Sequence, residues 1–202
     1  MTKRAACSSY VIIDTRGTGE FQGPSAGFRT MNSRILLSVP GGSEYDTVYP
    51  ADFTQISTLG TMNIVAKVKN TLASNPDACF ILEGYSQGAA ATVAALPQLT
   101  GSAFDAVKAV ILIGNPDHKP NLACNVDNNG GKSTAGFSGI SALLSPGIPS
   151  NWVDKSLDIC ILGDGVCASQ TGFGITFQHL LYPTDSNVQS MGANFAIKAL
   201  QG

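Results

Sequence analysis

Apolar positions along the chain fall into two alternating rhythms. Four short stretches are continuous apolar runs: residues 10–14, 78–83, 107–113 and 157–162. Between them, apolar residues recur at helical spacing. Phe28, Met31, Ile35 and Leu36 mark residues 26–38, and Leu59, Met62, Ile64, Val65, Val68 and Leu72 mark residues 56–72. An alanine-rich helix is expected over 89–99 and a closing one over 188–200. Strands that run apolar without alternation are buried on both faces, which predicts a parallel sheet. Strands separated by helices imply right-handed crossovers and a three-layer α/β sandwich. Val48-Tyr49 is a further strand candidate. Pro40-Gly41-Gly42 reads as a helix stop, and residues 117–150, rich in Asn, Gly, Ser and Pro, as long surface loops.

The 202 residues show no internal repeat and no linker, so one domain is expected. Residues 1–4 are set aside as a tag or processing remnant. Only 13% of the residues are charged, against about 25% in an average domain. The surface is therefore built from neutral polar side chains, and a formal charge of −2 offers no footprint for nucleic acid. No apolar run approaches the roughly 18 residues that span a bilayer. A monomer without integral membrane contact is expected.

Chemistry concentrates at Gly84-Tyr85-Ser86-Gln87-Gly88, which has the Gly-x-Ser-x-Gly pattern of a nucleophile elbow. A buried strand ends directly before it and a helix begins directly after, as such an elbow requires. A serine hydroxyl needs a base, and the chain has two histidines, His118 and His179. In this fold the acid and then the base follow the serine along the chain. His118 fits poorly. Asp105 lies at the wrong end of its strand and Asp117 is an immediate neighbour, so His118 is read as a loop histidine bonded to backbone. His179 fits well, because Asp164 follows the strand 157–162 in Gly163-Asp164-Gly165. Asp154 and Asp158 precede or open that strand, and Asp185 follows the histidine. One oxyanion donor is expected from the Gln87 N–H, and another from the turn Arg16–Glu20, to which Thr18 can add its hydroxyl.

Five cysteines leave at least one thiol free. Cys160 and Cys167 bracket Asp164, and a bridge between them would pin the acid. Cys7 and Cys79 sit at the starts of strands expected to be neighbours, giving a second bridge and leaving Cys124. A zinc site from Cys160, Cys167 and His179 is the weaker reading; neither metal nor cofactor is expected. Two bridges imply an oxidising, extracellular setting.

Asp14–Glu20, Gly84–Ala89, Cys160–Cys167 and His179-Leu180 together resemble the cutinase family of serine esterases over nearly the whole chain. The resemblance implies a minimal, lidless α/β hydrolase, with Ser86, Asp164 and His179 as triad and Thr18 and Gln87 as oxyanion hole. It implies apolar rims at Phe173, Ile175 and Leu180. It also implies ester or polyester substrates, with acetylated xylan as the alternative. The segment 114–118 and Cys124 depart from filamentous-fungal members of the family.

Overall fold

The structure is a computed structural model, and it describes residues 6–202; the proposed remnant at residues 1–4 lies outside them. Six strands form one sheet: β1 (Tyr10–Thr15), β2 (Gly42–Asp46), β3 (Cys79–Tyr85), β4 (Val107–Ile113), β5 (Asn125–Val126) and β6 (Ser156–Ile159). Their order is β2-β1-β3-β4-β6-β5, and every pairing is parallel. Helices α1 (Arg29–Ser38) and α5 (Ser186–Gln201) cover one face. Helices α2 (Thr58–Ser74), α3 (Gln87–Ala95) and the short α4 (Ser102–Ala106) cover the other. The expected three-layer sandwich is the architecture observed.

Alternate residues of the central strands feed the two layers. Ile13, Phe80, Leu82, Val110 and Leu112 pack with Ile64, Val68 and the α3 alanines. Ile12, Ile81, Ile111 and Ile113 pack with Met31, Ile35, Val188 and Ala196 on the opposite face. Small α3 residues let that helix lie close on β3. Helix α5 starts at Asp185, whose carboxylate caps the N–H groups of Asn187 and Val188.

Two local readings change. The strand expected at Val48-Tyr49 lies instead at Gly42–Asp46, beginning within the expected helix stop at Pro40-Gly41-Gly42. An edge strand needs no apolar run, because one side of it meets no neighbour and its faces stay wet. The loop region 117–150 contributes the two-residue strand β5. Trp152 anchors a 3₁₀ turn at Ser150–Lys155 and is fully buried.

The chain passes from β1 to β2 on one side and then to β3 on the other. This leaves a crevice beyond the carboxyl ends of β1 and β3, where open α/β sheets place their sites. Both disulfides are formed as expected, Cys7–Cys79 and Cys160–Cys167. Cys124 is a buried free thiol whose pKa burial pushes up to about 12, which makes it an inert core residue. Among the described residues no helix is long and apolar enough to cross a membrane.

Candidate active site

Ser86 sits between β3 and α3 with φ 54° and ψ −118°, a backbone conformation rare for a residue with a side chain. The flanking glycines permit it. A Cβ on Gly84 would meet the Ala89 Cα at 2.6 Å, and one on Gly88 would meet the Thr15 carbonyl oxygen at 2.0 Å. Gly84 thus lets the helix fold back on its strand, and Gly88 lets the end of β1 close against the elbow.

His179 lies in a 3₁₀ turn at Gln178–Leu180 and is 2% exposed. Its Nδ1 is 2.9 Å from each carboxylate oxygen of Asp164, and its Nε2 is 2.9 Å from Ser86 Oγ. A carboxylate only accepts, so Nδ1 carries the ring proton and Nε2 is left to accept from the hydroxyl. Asp164 is fully buried. It also accepts from the Val166 N–H at 2.8 Å and the Tyr182 hydroxyl at 2.6 Å. The Cys160–Cys167 bridge closes a seven-residue separation around it. Tyr85 donates its hydroxyl to the His179 carbonyl at 2.6 Å and fixes that turn on the elbow. Burial raises the pKa of both tyrosines, so they remain protonated donors.

The turn after β1 is held by Arg16, which is 3% exposed. Its guanidinium donates to the carbonyls of Glu20 (2.9 Å), Thr47 (3.1 Å) and Tyr49, and Tyr49 returns a bond to the Arg16 carbonyl at 2.5 Å. Thr18 Oγ1 pairs with the Gln55 amide at 3.0–3.1 Å. Gln87 opens α3, so its N–H has no preceding turn to bond to. A cavity of about 210 Å³ is lined by Thr18, Gln55, Ser86, Gln87, Ala90, Pro116, Ile140, Ser141, Val166, Gly174 and Ile175. Of the residues expected at the rim, Ile175 lines this cavity. Phe173 and Leu180 stand outside it at 93% and 58% exposure, so neither is core packing.

Sequence reasoning missed Tyr182, Arg16, Gln55 and the cavity wall formed by Pro116 and Ile140–Ser141. It also missed the main partner of His118, which is fully buried and bonds through Nδ1 to Asp158 Oδ2 at 2.8 Å in addition to the expected backbone bond, made to Thr134. Asn115 donates to the same oxygen at 3.1 Å. The Pro116 and His118 carbonyls accept from the N–H groups of Ser141 and Gly139, so this buried pair anchors one cavity wall. Burial opposes the charged imidazole, but the charge and hydrogen bond of Asp158, a backbone bond to Thr134 and the more distant Asp164 outweigh it and raise the His118 pKa. A raised folded pKa gives stability that is full below the unfolded value of about 6.5 and lost as pH climbs through the folded value. Thermal melts should therefore show a His118-dependent loss of stability on the alkaline side. His118→Leu is expected to cost about 3–5 kcal/mol at pH 6 and to flatten that alkaline decline.

Fold and site together define an α/β hydrolase built around a serine elbow. The cutinase family model matches residues 6–200, and the chain belongs to that family. It is 57% identical to a cutinase-like protein from Cryptococcus sp., covering 98% of this chain and 97% of that one with a TM-score of 0.96. Carboxylesterase Culp1 of Mycobacterium tuberculosis is 29% identical over 96% of this chain and 82% of its own length. The catalytic core of an acetyl xylan esterase from Trichoderma reesei is 26% identical with a TM-score of 0.72, covering 96% of each chain. The protein is a carboxylic ester hydrolase.

Proposed function

We propose that the protein is a secreted, monomeric serine esterase acting on short-chain acyl esters and aliphatic, cutin-type polyesters. In this reading Ser86 Oγ attacks the ester carbonyl carbon as His179 Nε2 takes its proton. The carbonyl oxygen becomes an oxyanion bound by the Gln87 N–H and by Thr18. Collapse breaks the bond to the leaving alcohol, which receives the proton from His179, and leaves an acyl group on Ser86. Water then attacks with His179 again as base, releasing the acid and restoring Ser86. Asp164 orients the imidazole and stabilises its cationic form. The observation that carries the reading is the 2.9 Å contact from Ser86 Oγ to His179 Nε2, continued at 2.9 Å to Asp164.

The substrate class follows from two surfaces. The 210 Å³ cavity is small beside the about 300–1,000 Å³ of drug-sized pockets, and Ala90, Pro116, Ile140, Val166 and Ile175 make its walls apolar. It suits a short acyl chain. Around it, the loops carry Phe21, Phe53, Leu143, Leu144, Phe173 and Phe177, each at least 72% exposed. Exposed apolar groups in such number suit contact with a polymer surface. The two disulfides support an oxidising, extracellular location.

On p-nitrophenyl esters, kcat/KM should rise by about fourfold per added methylene while the chain fills the cavity, from about 0.8 kcal/mol per buried CH₂, and then level off. The likeness to an acetyl xylan esterase supports a second reading, with acetylated xylan as substrate. Parallel rates on acetylxylan and a butyrate ester decide between them. Preference for the two-carbon acyl group, with no gain on lengthening, would overturn the polyester reading.

A further inference from the structure

The sheet face that packs against α1 carries a second cluster, separate from the serine site. Asp46, Asp14 and Glu83 stand side by side in one register row across β2, β1 and β3. Glu44 precedes Asp46 by two residues and shares its face. One oxygen each from Asp14, Glu44 and Asp46 lies within 4.8 Å of the others. Two oxygens on opposite sides of an ion bound at about 2.4 Å would be about 4.8 Å apart.

The cluster is short of donors. Asp14 and Asn32 are 1% exposed and Glu83 is fully buried. Asp14 Oδ1, Asp46 Oδ1 and Asn32 Oδ1 have no hydrogen-bond partner among the described residues. Asn32 reaches in from α1 and donates Nδ2 to Glu44 Oε1 at 3.1 Å, which keeps its orphaned carbonyl oxygen beside the carboxylates. The Ser25 N–H donates to Asp14 Oδ2 at 2.8 Å, and the Asn32 side chain also supports Glu83. Among the described residues no lysine or arginine lies within 4 Å of these carboxylates as an ion pair.

Orphaned buried oxygens are costly, and two remedies exist. Protonation would neutralise the carboxyls, and burial does raise Asp14 and Glu83 well above the usual range. A protonated carboxyl gains one O–H that can donate to a neighbouring oxygen, but each proton serves a single acceptor and leaves the other oxygens of the cluster unsatisfied. A cation satisfies several oxygens at once. We propose that Asp14, Glu44 and Asp46 bind one calcium ion at the carboxyl ends of β1 and β2, beside the unpartnered Asn32 carbonyl. The donors are all hard oxygens, with no imidazole or thiolate to select zinc. Glu44 is exposed and Asp46 half-buried, which gives the ion a path from solvent and room for water ligands. Calcium tolerates such mixed, irregular coordination, whereas magnesium demands a near-ideal octahedron.

The ion would tie the ends of β1 and β2 together, next to β3. β1 runs directly into the turn holding Thr18, and β3 runs into Ser86. The test is calorimetric titration of CaCl₂ into chelator-stripped full-length protein, with thermal melts in parallel. One equivalent should bind, with a Kd of roughly 10⁻⁴–10⁻³ M as in extracellular calcium modules. At a hundredfold excess over Kd, Tm should rise by about 5–10 °C, and NaCl at matched ionic strength should not reproduce the rise. The double variant Glu44→Gln/Asp46→Asn removes two charges from an edge strand with near-isosteric amides, so it should fold and lose both binding and the Tm response. No binding to the unaltered protein at 10 mM CaCl₂ (about ten times the weakest such Kd) would overturn the proposal. Undiminished binding to the double variant would do so equally. Neither readout depends on ester hydrolysis, so failure here leaves the esterase reading untouched.

Discussion

Replacing Ser86 with alanine should lower kcat/KM on a p-nitrophenyl butyrate by about 10⁴–10⁶-fold, the range found when triad nucleophiles are removed from serine hydrolases. The hydroxyl is the atom that bonds to the acyl carbon, and among the described residues it is the one group in hydrogen-bond contact with His179 Nε2. Water could still attack, helped by the donors at Gln87 and Thr18, which sets the small residual rate. The fold should be unaffected. Alanine keeps the Cβ that packs beside Gly17, and the φ of 54° is imposed by β3, α3 and the flanking glycines rather than by the hydroxyl. Thermal melts of the variant should overlay those of the parent protein. Retention of most turnover would place the nucleophile elsewhere.

Asp164→Asn should be nearly as damaging, at about 10⁴-fold in kcat with KM little changed. The reason lies in what surrounds the carboxylate. On one side the Val166 N–H can only donate, so an asparagine must keep its carbonyl oxygen there. Its NH₂ then falls where Oδ2 was, beside Tyr182, whose hydroxyl can turn to accept. That NH₂ stands 2.9 Å from His179 Nδ1 and draws the imidazole into the tautomer protonated at Nε2. Such a ring faces Ser86 with a donor and cannot take its proton. Activity should recover partly at high pH if hydroxide substitutes for the missing base. A loss below tenfold would argue that the aspartate only packs.

The parts of this protein that were legible in its sequence are those with local signals. β1, β3 and β4 are buried on both faces and read directly as apolar runs. The elbow is legible because strand, glycine and helix signals coincide within a few residues. Asp164 is legible because two cysteines bracket it and a strand ends before it. β2 was not, since an edge strand of Gly-Ser-Glu-Tyr-Asp shows no apolar pattern and is specified by register with β1. His118 was only partly legible for the same kind of reason. Its partner Asp158 is 40 residues away and meets it only because β6 lies next to β4. Tyr182, whose hydroxyl fixes the triad acid, and Arg16, which braces the oxyanion turn, leave no trace in composition or spacing. Both work through bonds to groups that are remote in the chain or hidden in the backbone.

Incubation with a p-nitrophenyl alkylphosphonate, followed by intact mass and peptide mapping, examines the activated nucleophile without assuming any natural substrate. One phosphonyl group per chain should appear on the peptide containing Ser86, with release of one equivalent of p-nitrophenol and loss of esterase activity in step. A chain that stays unmodified while still hydrolysing esters, or that carries the label on another residue, would contradict the mechanism.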